Sequence, residues 1–419
     1  MRVTADSTDE PVNPDHCRSA AACHLYISVS SRKEQHTHGN QCSGFRRPSR
    51  PNRYISTPGV AKEVRKYIED YDHPVIITGV KSADAFLDYT GEDEFFAPVL
   101  RYDGSSSERN ARELAEQAKA LDADAIIAIG AGKLSDTAKN VAEMMDVDLI
   151  IVPTLACACA AYSPYSVDYD DEHRFLGVPV HPRNSVALLV DSAMIAQTPP
   201  EKFIGGIGDT IAKFYESDPV FAQADDLTVF DQLSRQSARL VRDTLLSESE
   251  PALDALNQGA YDDPHVRTLI DTIIGIAGTV GGFGGVRARE SGAHTVHDGL
   301  TRIPGSAETM HGEKVAYGVL VQLITEGKED EARDLLPFYN KIGLPHSWKQ
   351  MNLPFTDENL KTVADFAADP GSPFHAAVPD VTADQIIDAM RTVEAFCSIH
   401  PAWAHSTRNG EMRPRLYSP

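Results

Sequence analysis

Hydrophobic positions along the chain change character near residue 200. Val60, Val64 and Ile68 recur at helical spacing, and Val75-Ile76-Ile77-Thr78, inside the stretch 73–79, predicts a short buried strand that ends in glycine. Ala111, Leu114, Ala115 and Ala118 share one face of a helix predicted over 108–121. The clearest unit follows. A strand over 125–129 leads through Gly130-Ala131-Gly132 into a helix over 135–145, with Ala138, Val141, Ala142 and Met145 as its inner stripe, and then into a strand over 149–152. Strand, helix and strand at this length predict a parallel crossover, and apolar strands without alternation predict a sheet covered on both faces. After residue 200 strand signals fade. Helical patterns run to about 397, broken by glycine clusters and by Pro345, Pro354, Pro370, Pro373 and Pro379. The expected fold class is an α/β domain over 54–200 followed by an all-α domain over 201–398. Residues 1–53 and 399–419 show no sustained periodicity and are expected to be a disordered extension and a tail.

Composition narrows the function classes. The 419 residues are 42% hydrophobic and 24% charged, the balance of a globular protein of two to three domains. Lys and Arg number 39 against 61 Asp and Glu, and a net charge of −22 repels phosphate backbones and anionic lipid surfaces. Neither nucleic acid nor a membrane is an expected partner. No uninterrupted apolar run reaches the roughly 18 residues a spanning helix needs. Three of the six cysteines (Cys17, Cys23, Cys42) lie in the first tenth of the chain, which is no disulfide framework and fits a reducing compartment. Asp6, Asp9, Glu10 and Asp15 at the N-terminus suit neither a secretory signal nor a transit peptide, so a cytoplasmic location is expected. Cys17, Cys23, His24, His36, His38 and Cys42 are too irregularly spaced to predict a metal site.

Several segments can carry chemistry. Gly130-Ala131-Gly132-Lys133 stands where a strand ends and a helix begins, where backbone N–H groups and the helix dipole can hold a pyrophosphate; a simple tight turn has the same local pattern. Asp209 follows Gly205-Gly206-Ile207-Gly208 at a predicted helix start, where a capping aspartate is the plainer reading. His294 and His297 lie three apart, and His311 opens His311-Gly312-Glu313-Lys314 at another helix start. Each histidine alone could be a hydrogen-bonded core residue. One carboxylate and two imidazoles from separate helices would instead leave open positions on a divalent metal, at a net charge of +1 suited to an alkoxide. A nucleotide turn together with such a metal suggests hydride transfer.

Five segments, namely 130–139, Val152-Pro153-Thr154, Gly206-Ile207-Gly208-Asp209, 293–301 and 311–316, resemble in order and spacing the glycerol dehydrogenase branch of the iron-containing alcohol dehydrogenase family. The resemblance spans roughly 54–398. It implies a Rossmann-like nucleotide domain, a helical domain of the dehydroquinate synthase-like architecture, and an active site in the cleft between them. By position it implies Asp209, His294 and His311 as ligands of one divalent metal, zinc or ferrous iron. Gly132, Lys133 and Asp136 match the phosphate-binding turn, and Thr154, Cys157, Ser163, Tyr165 and Tyr169 fall where the family lines the nicotinamide and its ribose. His297 matches the second histidine of a His-x-x-His pair and is a candidate proton relay. A small-molecule substrate and a homo-oligomer are expected.

Three departures bear on specificity. Where glycerol dehydrogenases carry an aspartate for the polyol hydroxyls, this chain has Cys159, and 158–164 looks closer to the bacterial hydroxycarboxylate dehydrogenases of the same family. Cys159 as a contact to a 2-oxo acid and Cys159 as a small buried apolar residue are both open. After the strand 75–78, NAD-preferring relatives place an aspartate on the ribose; here Gly79 stands there with Lys81 and Ser82 behind it, which permits and favours NADP over NAD. Ala131 replaces the middle glycine of the usual turn, adding a methyl where pyrophosphate approaches. The expected activity is an NAD(P)-linked oxidation of a small 2-hydroxy acid, with glycerol or another polyol second. Sugar-phosphate cyclases of the same architecture use a glutamate in place of Asp209, and a catalytically silent member would not need all three ligands. Arg183, Arg287 and Arg289 are candidate carboxylate binders.

Overall fold

The structure, a computed structural model, describes residues 49–170 and 175–399; the cysteines and histidines of the first 42 residues lie outside them. The first half holds strands β1 (Arg53–Ser56), β2 (Pro74–Thr78), β3 (Val99–Arg101), β4 (Ala125–Gly130), β5 (Asp148–Pro153), β6 (Asp168–Tyr169), β7 (Phe175–Gly177) and β8 (Ala187–Val190). Between them run α1 (Val80–Thr90), α2 (Glu108–Ala120) and α3 (Gly132–Met145). Six strands form one parallel sheet in the order β1-β8-β5-β4-β2-β3, while β6 and β7 pair antiparallel on their own.

Both faces of the sheet are covered, as the apolar strands predict. Val75, Ile77, Ile126, Ala128, Leu149, Ile151, Leu188 and Val190 pack into the same core as α2, α3 and the helices of the second half. Their alternates Ile76, Ile127, Ile129, Ile150, Val152 and Leu189 pack against Val60, Val64, Phe86 and Met194 on the opposite face. The direction of strand addition reverses between β2 and β4, so Gly79 and the 130–132 turn both stand at the carboxyl ends of strands beside the switch point. Periodicity did not reveal β1, β3 and β8, which are three or four residues long, and β1 begins at Arg53, inside the stretch read as an extension. Helix α3 starts at Gly132, three residues before the predicted start.

From residue 192 the described residues are helical: α4 (Ser192–Ile195), α5 (Pro200–Ala222), α6 (Val229–Asn257), α7 (Pro264–Asp271), α8 (Ala277–Gly284), α9 (Gly292–Leu300), α10 (His311–Thr325), α11 (Glu329–Ile342), α12 (Asp357–Ala367), α13 (Phe374–Ala377) and α14 (Ala383–Ile399). One expectation needs correction. The continuous helical stretch Pro264–Ala288 is long and apolar enough to cross a membrane, but 72% of its apolar window is buried inside the protein, which is the environment of a core helix.

Candidate active site

Three helices bring one carboxylate and two imidazoles together: Asp209 lies in α5, His294 in α9, and His311 opens α10. Helix α10 meets the other two main chain to main chain. A Cβ on Gly312 would collide with the Gly205 carbonyl oxygen and stand 2.8 Å from Asp209 N, and one on Gly318 would collide with the Ala293 carbonyl oxygen. The glycine of the His-Gly-Glu segment is therefore a packing requirement that sets His311 beside Asp209. Asp209 Oδ1 stands 3.2 Å from His294 Nε2 and 3.1 Å from His311 Nε2, and one ligating atom from each residue lies within 4.8 Å of the other two.

Glu216, two turns beyond Asp209 on α5 and 2% exposed, orients the cluster. It accepts from His294 Nδ1 at 2.6 Å, from His294 N at 2.9 Å and from Ser291 N at 2.7 Å, so it also satisfies the open N–H groups at the start of α9. Burial would raise the Glu216 carboxyl pKa, but His294 outweighs it and holds the group below its usual range. An ionised carboxylate only accepts, so Nδ1 of His294 carries the proton and Nε2 of a neutral ring turns a lone pair toward Asp209 Oδ1. Two acceptors face each other unless a proton or a cation lies between them. Correspondingly, burial would lower the His294 pKa, yet Glu216 and the bonds to Asp209 and Glu216 drive it well above the usual value. Asp209 runs the other way: burial opposes ionisation, and the bonds from His294 and His311 hold it well below the carboxylate range. The donor set fits a divalent cation with open positions.

The cluster opens into a cleft with a volume of about 120 Å³. Of the residues picked out in the sequence, Asp136, Cys159, Ser163, Tyr165 and Tyr169 line it from the α/β half, and Asp209, His294, His297 and His311 from the helical half. Gly132, Lys133, Thr154 and Cys157 are not part of its wall. Gly132 and Lys133 form the first turn of α3, with Lys133 Nζ 5.1 Å from the centre of the Tyr169 ring. Thr154 is buried at the end of β5, its N–H bonded to the Gly130 carbonyl at 3.1 Å; Cys157 is partly exposed, and burial pushes its thiol pKa up. Ala131 caps α3 in an extended conformation (φ −94°, ψ −164°) and gives no side-chain capping bond, so its methyl brings no backbone strain. Asp136 is tied to Lys139 Nζ at 2.9 Å, and the same ammonium reaches the carbonyls of Ala160 and Tyr165 at 2.6 and 2.7 Å. That pair clamps the loop carrying Ser163, Tyr165 and Tyr169 to α3.

His297 donates or accepts through Nδ1 with Asp298 Oδ1 at 2.9 Å, and its ring centre lies 4.1 Å from that of His311. Burial, then the charges of His311 and Lys314, depress its pKa well below the usual value, while burial lifts Asp298 to about 6. Sequence reasoning missed Glu216, Lys139 and Lys213; the signal for the first and last was a charge placed seven and four residues after Asp209, on the inner face of an apolar helix. Of the three arginines, Arg289 lines the cleft, whereas Arg183 pairs with Asp146 at 2.6 Å and Arg287 with Asp226 at 2.6 Å, away from it.

A nucleotide-type parallel sheet and a helical half that share a metal-competent cleft are the architecture expected of a metal- and nicotinamide-dependent oxidoreductase. Comparison with known proteins agrees. Residues 51–192 match the model of the family described as iron-containing alcohol dehydrogenase. Hydroxycarboxylate dehydrogenase A of Escherichia coli is 32% identical over 353 residues, covering 83% of this chain and 96% of that protein. Glycerol dehydrogenase of Pseudomonas putida is 30% identical over 359 residues, covering 81% and 96%. The crystal structure of glycerol dehydrogenase from Schizosaccharomyces pombe superposes with a TM-score of 0.75 at 26% identity, covering 88% of this chain and 95% of that one. The chain belongs to the iron-containing alcohol dehydrogenase family, and it is an oxidoreductase acting on alcohol groups with a nicotinamide dinucleotide and a metal.

Proposed function

We propose that this dehydrogenase interconverts small 2-hydroxy acids and 2-oxo acids and prefers NADP(H) to NAD(H). The observation that carries the substrate reading is the composition of the cleft wall. Cys159 stands in it where a polyol enzyme is expected to hold an aspartate, and the wall contains two cations, Lys213 and Arg289. The likeness to hydroxycarboxylate dehydrogenase A supports the same reading. Oxidation of glycerol or another polyol is the second reading, favoured by the likeness to glycerol dehydrogenases. The cofactor reading rests on the end of β2. Gly79 offers no carboxylate there; Ser82 Oγ accepts from its N–H at 3.0 Å, and Arg101 Nη1 donates to its carbonyl at 2.7 Å, so the edge met by the adenosine ribose is cationic rather than anionic.

Asp209, His294 and His311 are the residues that would hold zinc or ferrous iron, which when bound supplies Lewis acidity at the substrate oxygen, while the nicotinamide supplies or takes the hydride. Glu216 fixes the tautomer and orientation of His294. The first turn of α3, with Gly132 and Lys133, receives the pyrophosphate, and the loop of Ser163, Tyr165 and Tyr169, held by the Lys139–Asp136 pair, shapes the nicotinamide end of the cleft. His297, bonded to Asp298, relays the hydroxyl proton out of the cleft in oxidation and back in reduction. Absorbance at the nicotinamide band tests the proposal: metal-loaded enzyme should oxidise NADPH faster than NADH with 2-oxobutyrate or 2-oxoglutarate. Reduction of NAD⁺ by glycerol with no turnover of either oxo acid would instead establish the polyol reading.

A further inference from the structure

Lys213 follows Asp209 by one helical turn on α5, on the same face. It is 5% exposed. Its ammonium makes one hydrogen bond, to the Arg289 carbonyl at 2.9 Å, and among the described residues no carboxylate lies within ion-pair distance of it. An ammonium has three donors, so two remain for the cleft whose wall it shares with Asp209 and His294. The carboxylates of Asp209 and Glu216 on the same helix favour its charged form from beyond ion-pair distance, but among the described residues no acceptor takes its two remaining protons. The other acids of the wall are engaged or discharged: Asp136 binds Lys139, Asp298 binds His297, and burial holds Glu290 toward its neutral form. A divalent ion on one aspartate and two neutral imidazoles adds further positive charge beside it.

We propose that Lys213 is the specificity-determining anchor for the substrate carboxylate, binding it while the adjacent carbonyl or hydroxyl oxygen faces the Asp209–His294–His311 cluster. The inference rests on the 2-oxo acid reading and deepens it. Two oxygens on neighbouring carbons can then face the cluster and the Lys213 ammonium at once, and in a 2-oxo or 2-hydroxy acid the second of them brings a negative charge to that ammonium. Arg289, whose guanidinium lies 5.5 Å from the centre of the Tyr165 ring, flanks the same wall.

The test uses zinc-loaded full-length enzyme with Lys213→Met, Lys213→Gln and Lys213→Arg. Turnover of 2-oxobutyrate is compared with turnover of 1-hydroxybutan-2-one, its uncharged counterpart, and binding of oxamate is followed by calorimetry. Loss of a buried charge-assisted contact should lower kcat/KM for 2-oxobutyrate by about 100-fold in the Met and Gln variants, chiefly through KM, and weaken oxamate binding in parallel. Turnover of the uncharged ketone should change by less than about threefold, and Lys213→Arg should recover part of the loss. Equal losses on both substrates, unchanged oxamate binding, or an Arg variant no better than Met would make Lys213 a packing residue and overturn the inference. If the wild-type enzyme reduces no oxo acid yet binds oxamate through Lys213, the substrate reading fails and the anion subsite stands. Oxo-acid turnover indifferent to Lys213 removes the anchor and leaves the substrate reading in place.

Discussion

The phosphate turn of the α/β half offers main chain, whereas the metal-competent cluster of the helical half is made of side chains. The 130–132 turn and the first turn of α3 offer backbone N–H groups at the end of a strand, a geometry that survives replacement of the middle glycine by Ala131 because that position is extended. The helical half places three particular atoms, Asp209 Oδ1 and two imidazole Nε2, from three helices, and it does so by letting backbones touch at Gly312 and Gly318. A main-chain site depends on fold and tolerates changes of side chain; a side-chain site depends on every group that sets the helix spacing and the ring orientation.

Substitutions sharpen that contrast. Gly312→Val forces a branched side chain onto the Gly205 carbonyl, and it should cost about 3 kcal/mol or more of stability and abolish metal retention, seen as a fall in melting temperature and in metal per chain. Retained metal at full stoichiometry would show that the α5–α10 crossing does not build the site. Glu216→Gln keeps the size but removes the charge that fixes the His294 tautomer, and metal affinity measured by chelator competition should drop about 10- to 100-fold while the fold persists. Gly79→Asp should move the NADPH to NADH preference by about tenfold or more toward NADH, since the nearest atoms, Tyr102 Cε1 at 3.2 Å and Ser82 Oγ at 3.4 Å, need shift by only a few tenths of an ångström. Smallest of all, Ala131→Gly should change KM for the dinucleotide by less than about threefold; a large improvement would mean that the methyl does obstruct the pyrophosphate.

The same contrast explains what could be seen in the residues beforehand. Strand β4, α3 and β5 announce themselves because an apolar run, a glycine turn and a helical stripe lie next to one another. The metal-competent trio was legible once the motifs were taken together, since one carboxylate and two imidazoles on separate helices suit a divalent metal and the family resemblance carries ligation to those positions; the close crossing at Gly312 became visible only in the packed helices. Strands β1, β3 and β8 escaped because three or four residues carry no period, β1 and β3 also include charged or polar side chains, and their place in the sheet is set by partners elsewhere in the chain. Glu216 and Lys213 escaped because a charge on the inner face of α5 gains its meaning only when α9 and the cleft wall are packed against it.

The central claim is that Asp209, His294 and His311 hold the metal, with Glu216 behind His294. X-ray absorption at the zinc edge tests it most directly, because Cys159 lines the same cleft and Cys157 lies close by in the same loop. The expected spectrum has only nitrogen and oxygen neighbours at about 2.0–2.1 Å with imidazole outer-shell scattering, reduced by one imidazole in His294→Ala. A sulfur shell at about 2.3 Å, or a spectrum unchanged by His294→Ala, would contradict it.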